Sequence, residues 1–137
     1  MKLSKKQKAA CKALNNRGVA YRKKGDYDRA IEDYSDAIRL DPHYAGVYKN
    51  RAVANMKKNN IDLAIADFTV TLCLDPNDVA AHNNRGVAYL KKGDYDRAIE
   101  DFDTAKRLDS DNAQAGYNNG YAYHEKEGLG IATVKSH

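Results

Sequence analysis

The chain has 137 residues, a formal net charge of +4 and 31% charged residues, which leaves room for one ordinary domain or a short repeat array. No apolar run approaches the roughly 20 residues of a membrane-spanning helix, and the basic start MKLSKKQKAACKA lacks the apolar core of a secretory signal. We therefore expect a cytoplasmic protein without membrane association, or a fragment whose targeting segment is missing.

The sequence carries no motif for chemistry. It has no GxSxG, no HExxH and no phosphate-binding loop, and its four histidines are scattered. Cys11 and Cys73 form neither a CxxC pair nor a Cys/His cluster, so we expect no metal site and take both as small buried packing residues. These patterns predict a non-enzymatic protein with no cofactor and no small-molecule substrate.

Two nearly identical segments reveal an internal repeat. Residues 15–34 read NNRGVAYRKKGDYDRAIEDY and residues 83–102 read NNRGVAYLKKGDYDRAIEDF, and they differ only at Arg22/Leu90 and Tyr34/Phe102. The offset is two units of a 34-residue period, with a looser copy between them. A period of this length predicts a stacked array of helix pairs, in which each unit buries its apolar face against its neighbours.

The period divides the chain into six segments. A basic N-terminal extension or helix start (1–10) precedes three repeats (11–44, 45–78 and 79–112), a fourth-repeat first helix or cap (113–126) and a tail (127–137). In the first repeat, Leu14, Gly18 and Tyr21 fall on one face of a first helix. Gly25-Asp26 then ends that helix and caps the second, and Asp41-Pro42 ends the second because proline cannot continue a helix.

Small and aromatic residues recur at fixed positions, counted with Cys11, Ala45, Val79 and Ala113 as position one. Position eight is Gly or Ala, position twenty is Ala and position twenty-four is aromatic. The members are Gly18, Ala52, Gly86 and Gly120; Ala30, Ala64 and Ala98; and Tyr34, Phe68 and Phe102. Because Gly in a helix interior costs about 1 kcal/mol relative to Ala, its recurrence predicts close packing of the paired helices around the aromatic residue.

This pattern resembles the tetratricopeptide repeat family over roughly residues 11–126. The resemblance implies an all-α fold, a right-handed α-solenoid of antiparallel helix pairs with three full repeats plus a C-terminal capping or truncated fourth-repeat helix. Asn55, Thr71, His82 and Ser110 depart from the family pattern. The fourth unit is incomplete, because GLGIATVKSH does not continue as a good second helix; a terminal cap and a cut within a longer array are both open.

Each full repeat has Arg at position seven and Asp at position twenty-three. The pairs are Arg17/Asp33, Arg51/Asp67 and Arg85/Asp101. We predict that each pair joins the two helices of its repeat. The alternative is a row of arginines that binds partner carboxylates, with which Arg forms bidentate contacts.

Asparagine recurs at position six of all four first helices. The residues are Asn16, Asn50, Asn84 and Asn118, and Asn15 and Asn83 precede two of them. Asn in a helix interior costs roughly 0.5 kcal/mol relative to Ala, so its recurrence indicates either a ligand contact or a bond to a neighbouring loop carbonyl. The resemblance places the first helices along a concave groove, where amides can hold the backbone of an extended peptide.

Other groove positions that the resemblance implies are apolar or basic. The full predicted peptide-binding set is Asn15, Asn16, Val19, Arg22, Lys49, Asn50, Val53, Asn83, Asn84, Val87, Leu90, Tyr117, Asn118 and Tyr121. An amide-rich, apolar floor with a basic rim suits an extended peptide with some acidic residues. The difference Arg22/Leu90 falls within this set, where side-chain selectivity would begin.

The predicted function is therefore a protein–protein interaction scaffold that binds an extended segment of a partner. Chaperone-binding members of the family grip a C-terminal carboxylate with a set of Lys, Asn and Arg residues, of which only Asn50 is present, and this argues against that clamp. The alternative is self-assembly into homo-oligomers through the array ends, where the truncated fourth unit would expose Leu129. Nucleic acid is disfavoured as a partner, because the lysines alternate with acidic blocks.

Overall fold

The computed structural model describes residues 2–128, in which the chain is all helical apart from turns. It forms two compact units, Met1–Leu74 and Asp75–His137. The first unit contains α1 (Lys5–Lys23), α2 (Tyr27–Leu40), α3 (Ala45–Lys57) and α4 (Ile61–Leu74). The second contains α5 (Val79–Lys92), α6 (Tyr95–Leu108) and α7 (Ala113–Lys126). Within residues 2–128, no helix combines the length and the apolar character needed to cross a bilayer.

The helix ends follow local sequence signals. The side chains of Asp26 and Asp94 each accept a hydrogen bond of 3.2 Å from the backbone N–H three residues later, which caps α2 and α6. Ser4 and Gln7 form a reciprocal capping box at the start of α1, so part of the basic N-terminal segment is helical. The second helix of the first repeat ends at Leu40, before the Asp-Pro pair.

A left-handed residue follows the first helix of each repeat. Gly25 and Gly93 have φ of +84°, and Asn59 takes the same place in the second repeat with φ of +64°. Glycine adopts this conformation without steric cost, and asparagine is one of the few other residues that visits it routinely. The looser second repeat therefore keeps the turn without glycine.

The first unit is built from consecutive helix pairs, with α1 against α2, α2 against α3 and α3 against α4. Its core includes the fully buried Ala30, Tyr34 and Val47. A Cβ atom built on Gly18 would lie 2.6 Å from Cε1 of Tyr34, so only glycine allows this approach of α1 to α2. The predicted packing of the position-eight glycine on the aromatic residue is confirmed here.

The second unit repeats this arrangement, with α5 against α6 and α6 against α7. A Cβ atom built on Gly86 would lie 2.5 Å from Cε1 of the fully buried Phe102. At Gly120 the same construction meets none of the described residues within 4 Å. The residues from Leu129 onward lie outside the described part of the chain, as does Met1, so the prediction for Leu129 stays a prediction.

The two cysteines differ in environment. Cys11 is 1% exposed and belongs to the core of the first unit, as predicted. Cys73 is exposed, so its assignment as a buried packing residue was wrong. The buried residues of α4 include Ala64, Phe68 and Thr71, which are three or four residues apart and share one face. Cys73, two residues beyond Thr71, points away from that face.

Candidate functional site

The predicted ion pairs are present in all three repeats. In each pair the arginine donates two hydrogen bonds to the carboxylate, over 2.7–2.9 Å. The hydrogen bond to Asp67 raises the pKa of Arg51, and the bond to Asp101 raises the pKa of Arg85. The pairs join the first and second helix of each repeat, which confirms the structural interpretation of these charges.

His82 adds a titratable group to the third of these pairs. Its Nε2 lies 2.9 Å from the carbonyl oxygen of Pro76, which can only accept, so Nε2 carries a proton. Its Nδ1 faces Oδ1 of Asp101 at 3.5 Å, and Arg85 binds the same carboxylate. The interaction of Nδ1 with the carboxylate of Asp101 is the main cause that raises the pKa of His82 above 6.5, against burial and the charge of Arg85.

We expect His82 to make stability pH-dependent. Because the folded-state pKa is raised, the native state binds the proton more tightly than the unfolded chain. The stabilisation is fully present below the unfolded pKa of about 6.5 and is lost as the pH rises through the folded pKa. Urea unfolding of wild type should therefore give a free energy of unfolding that falls as the pH is raised above about 6.5.

The matched control is His82→Tyr, because Tyr48 occupies the same position in the second repeat. The hydroxyl of Tyr48 donates to the carbonyl of Pro42 over 2.9 Å, which is the equivalent of the bond from His82 to Pro76. The variant should keep that bond and lose the pH dependence in this range. If the free energy of unfolding depends on pH in the same way in wild type and variant, protonation of His82 does not stabilise the fold.

In each unit, one asparagine pair links the first helices of two successive repeats. The Nδ2 atom of Asn50 donates to Oδ1 of Asn15 over 3.0 Å, and Nδ2 of Asn118 donates to Oδ1 of Asn83 over 3.3 Å. In both pairs, position six of one repeat bonds position five of the repeat before it. The acceptor is therefore an asparagine side chain on the first helix of the preceding repeat. It is not a loop carbonyl, which was the intramolecular alternative in the sequence analysis.

The Asn15–Asn50 pair retains hydrogen-bonding capacity. A side-chain amide can donate two hydrogen bonds and accept two, and the bond between these residues uses one donor of Asn50 and one acceptor of Asn15. Asn15 is 8% exposed and Asn50 is half-buried. The bond fixes the orientation of the two amides relative to each other.

Half of the predicted peptide-binding set lies on α1 and α3 of the first unit. Asn16 is exposed, and five others are half-buried: Val19, Arg22, Lys49, Asn50 and Val53. Asn15 is only 8% exposed. Most of this half of the set therefore reaches the surface, where amide, apolar and basic groups occur together.

The other half lies on α5 and α7 of the second unit. Tyr117 is 39% exposed and Tyr121 is half-buried. The remaining members are at most 8% exposed: Asn83, Asn84, Val87, Leu90 and Asn118. Leu90 therefore packs into the protein, unlike its half-buried counterpart Arg22. The accessible part of this half is aromatic.

Tyr121 on α7 can donate a hydrogen bond at neutral pH. Desolvation raises the pKa of Tyr121, and the nearby carboxylate of Glu125 raises it further. The phenol is therefore protonated well above neutral pH, and it combines a flat apolar ring with a donor.

Comparisons of sequence and structure show the family of the chain. The family model for the tetratricopeptide repeat matches residues 11–44 and 79–112. The second TPR domain of human RPAP3, solved in complex with the HSP70 peptide SGPTIEEVD, is 31% identical, with a TM-score of 0.82 over 85% of this chain and 98% of that domain. The chain belongs to the tetratricopeptide repeat family.

Further tetratricopeptide repeat structures share the fold. The first TPR domain of Spaghetti (RPAP3), bound to the HSP90 peptide SRMEEVD, has a TM-score of 0.85 at 24% identity, over 87% of this chain and 94% of that one. The TPR domain of Arabidopsis OM64 has a TM-score of 0.82 at 28% identity, over 85% and 96%. No curated protein matches the sequence. The described residues thus form three tetratricopeptide repeats followed by the additional helix α7.

Proposed function

We propose that this tetratricopeptide repeat chain is a non-enzymatic interaction module that binds an extended, acidic segment of a partner protein on the first helices of its repeats. The Asn15–Asn50 pair carries the proposal. Its internal bond over 3.0 Å orients an amide that is still partly accessible. Such an amide can bond a peptide backbone whatever the side chains of that peptide.

The acidic character of the ligand rests on the basic members of the same set. Arg22 and Lys49 are half-buried members of the same set, and the whole chain carries a net charge of +4. The human RPAP3 domain at 31% identity was solved with a peptide that ends in EEVD. Asn50 is the only residue that matches the C-terminal carboxylate clamp. We therefore propose that this chain binds the backbone and the acidic side chains of the peptide and does not depend on its C-terminal carboxylate.

Replacing Asn50 with alanine should weaken peptide binding about tenfold, which corresponds to ~1.4 kcal/mol. The variant loses both the amide that faces the ligand and the bond that orients Asn15. Fluorescence anisotropy of labelled SGPTIEEVD measures the affinity, which we expect to lie in the micromolar range for wild type. Far-UV circular dichroism checks that the helices persist.

Three controls sharpen this test. Asn77→Ala removes an exposed asparagine outside the peptide-binding set and should leave the affinity unchanged. The peptide SGPTIQQVD should bind more weakly, whereas amidation of the C-terminus of SGPTIEEVD should have little effect. Wild-type affinity in the Asn50→Ala variant would contradict the role of the amide pair, and a strong loss on amidation would show that the chain uses a carboxylate clamp after all.

A second candidate function is self-assembly through α7. Gly18 and Gly86 each lie against an aromatic ring, but a Cβ atom at the equivalent Gly120 meets none of the described residues within 4 Å. A helix from a second copy could cover this surface and produce a homo-oligomer. Sedimentation equilibrium across a wide concentration series tests this, and a constant monomer mass would rule it out.

A further inference from the structure

The helix α1 is longer than the first helices of the other repeats. Helices α3, α5 and α7 begin at position one of their repeats, whereas α1 begins at Lys5, six residues before Cys11. Residues 4–10 are all exposed. The start of α1 therefore projects from the helix pairs and is not covered by them.

The positive charge of the chain is concentrated at this end. Residues 1–25 contain nine of the 23 Lys and Arg residues and none of the 19 Asp and Glu residues, so the other 112 residues carry a net charge of −5. The charge of Asp41 acts on Cys11, where the first repeat begins. Among the described residues, no carboxylate forms an ion pair with the lysines of this end, Lys5, Lys6, Lys8 and Lys12. Their ammonium groups are therefore available to an acidic ligand.

The lysines at the start of α1 do not stabilise the helix. The N-terminal end of a helix carries a partial positive charge, and acidic residues stabilise it. The first turn of α1 has no acidic residue, and Lys5 and Lys6 lie there instead. The capping box of Ser4 and Gln7 holds this end against that repulsion. Such a conflict with a local rule is typical of functional surfaces.

Three of the lysines share a face of α1 with an exposed member of the peptide-binding set. Lys5, Lys8 and Lys12, which we call the lysine row, continue at the same spacing to Asn16. Asn16 is exposed. From Asn16 the helix rises about 6 Å to Lys12 and about 16 Å to Lys5. An extended chain spans about 3.3 Å per residue, so about two to five residues bridge these distances.

We infer that the lysine row binds an acidic block of the partner protein, which lies about two to five residues from the stretch held at Asn16. The inference rests on the proposed function, because the acidic block belongs to the same extended segment. The row supplies three exposed ammonium groups, and carboxylates complement them in charge. The basic start of α1 thereby lengthens the peptide-binding surface beyond the repeats.

An acidic protein segment suits this surface better than a nucleic acid or a membrane. The lysine row is only about 10 Å long, and the net acidic remainder of the chain would repel a longer polyanion. Residues 1–20 contain no aromatic side chain on which bases could stack. The apolar side chains within residues 4–10 are Ala9 and Ala10, which are too small to anchor a helix in a lipid interface.

The test compares peptides that differ only in the charge of an added block. EEEEGSGPTIEEVD and SGPTIEEVDGEEEE carry the block at opposite ends, and QQQQGSGPTIEEVD and SGPTIEEVDGQQQQ are their neutral counterparts. Fluorescence anisotropy at low ionic strength should show that at least one glutamate peptide binds about fivefold more tightly than its glutamine counterpart. This gain should disappear at high salt, because salt screens exposed charges.

The variant Lys5→Gln/Lys8→Gln/Lys12→Gln removes the lysine row. It should abolish the gain from the glutamate block, because the ammonium groups that bind the block are lost. Circular dichroism should show that the helical content is retained, since the replaced residues are exposed and glutamine is a good helix former.

The matched control Lys57→Gln/Lys106→Gln/Arg107→Gln removes the same number of charges from exposed positions outside the row and the peptide-binding set. It should keep the gain, and both variants should bind SGPTIEEVD with similar affinity. Equal loss of the gain in both variants would overturn the inference, because net charge would then be its cause. If wild type binds SGPTIEEVD but gains nothing from either glutamate block, the inference fails and the proposed function stands. If no peptide binds, the proposed function itself fails.

Two further outcomes would assign the lysine row to another ligand and overturn the inference. One is tighter binding of labelled oligo-dT than of the glutamate peptides, lost in the lysine variant. The other is self-association in sedimentation equilibrium that the lysine variant abolishes, which would show that a second copy supplies the carboxylates.

Discussion

Replacing Asp67 with alanine should lower the free energy of unfolding by about 3–5 kcal/mol, because it leaves the guanidinium of Arg51 unpaired in a largely buried place. The side chain of Arg51 is 24% exposed, and its Nε and Nη2 atoms both donate to Asp67. Water cannot fully replace a bidentate contact at that depth. Urea unfolding followed by circular dichroism measures the loss.

The three repeats provide an internal comparison for this prediction. The side chain of Arg85 is 20% exposed, so Asp101→Ala should cost about as much as Asp67→Ala. Arg17 is 62% exposed, and water solvates it once Asp33 is removed, so Asp33→Ala should cost clearly less than Asp67→Ala. Equal losses in all three variants would show that exposure of the arginine does not set the cost.

A paired replacement separates the charge from the packing. Changing Arg51 to Met together with Asp67 to Leu removes both charges and keeps apolar volume, so it should be much less destabilising than Asp67→Ala. If the double variant is as unstable as the single one, the hydrogen-bonded geometry itself is required, and the unpaired charge is not the main cause.

Replacing Gly86 with alanine should destabilise the protein by about 1–3 kcal/mol through overpacking. The new Cβ atom would lie 2.5 Å from Cε1 and 2.8 Å from Cδ1 of Phe102. The Phe102 ring is fully buried, so it cannot swing into solvent to make room. The helices α5 and α6 must therefore separate. Thermal and urea unfolding measure the effect.

The control for this variant is Gly120→Ala, at the same repeat position on α7. None of the described residues lies within 4 Å of the new methyl group there, so the helix propensity of alanine should raise stability by roughly 0.5–1 kcal/mol. The second repeat has Ala52 at this position with Phe68 as its aromatic residue, so a methyl group is tolerated where the helices are built around it. A Gly86→Ala variant as stable as wild type would show that α5 and α6 shift at little cost.

The helix pairs and the Arg–Asp ion pairs could be predicted from the sequence because their causes are local or periodic. Asp26 caps α2 by accepting a hydrogen bond from the backbone N–H of Arg29, three residues later. Such a contact is set by residues that are close in sequence. The pairs at positions seven and twenty-three join two helices separated by one turn. Because the two helices are joined by a short turn, opposite charges that recur at the same two positions can hardly avoid pairing with each other.

The candidate site was predicted less completely. The sequence marked the asparagines as exceptional, but it did not show that Asn50 bonds Asn15, which lies 35 residues away. That contact depends on how the first helices of successive repeats are offset. The signal was present, since position five carries Asn in the first and third repeats and position six carries Asn in the repeats that follow them.

The family, the helix pairs and the packing of glycine on aromatic rings could be predicted from the sequence, because a 34-residue period repeats small and large residues at the same positions. Which side chains reach the surface could be read only from the folded structure. Leu90 and Leu63 are both leucines on helices, yet one is 8% exposed and the other 58%. Exposure depends on which side chains the surrounding helices place nearby.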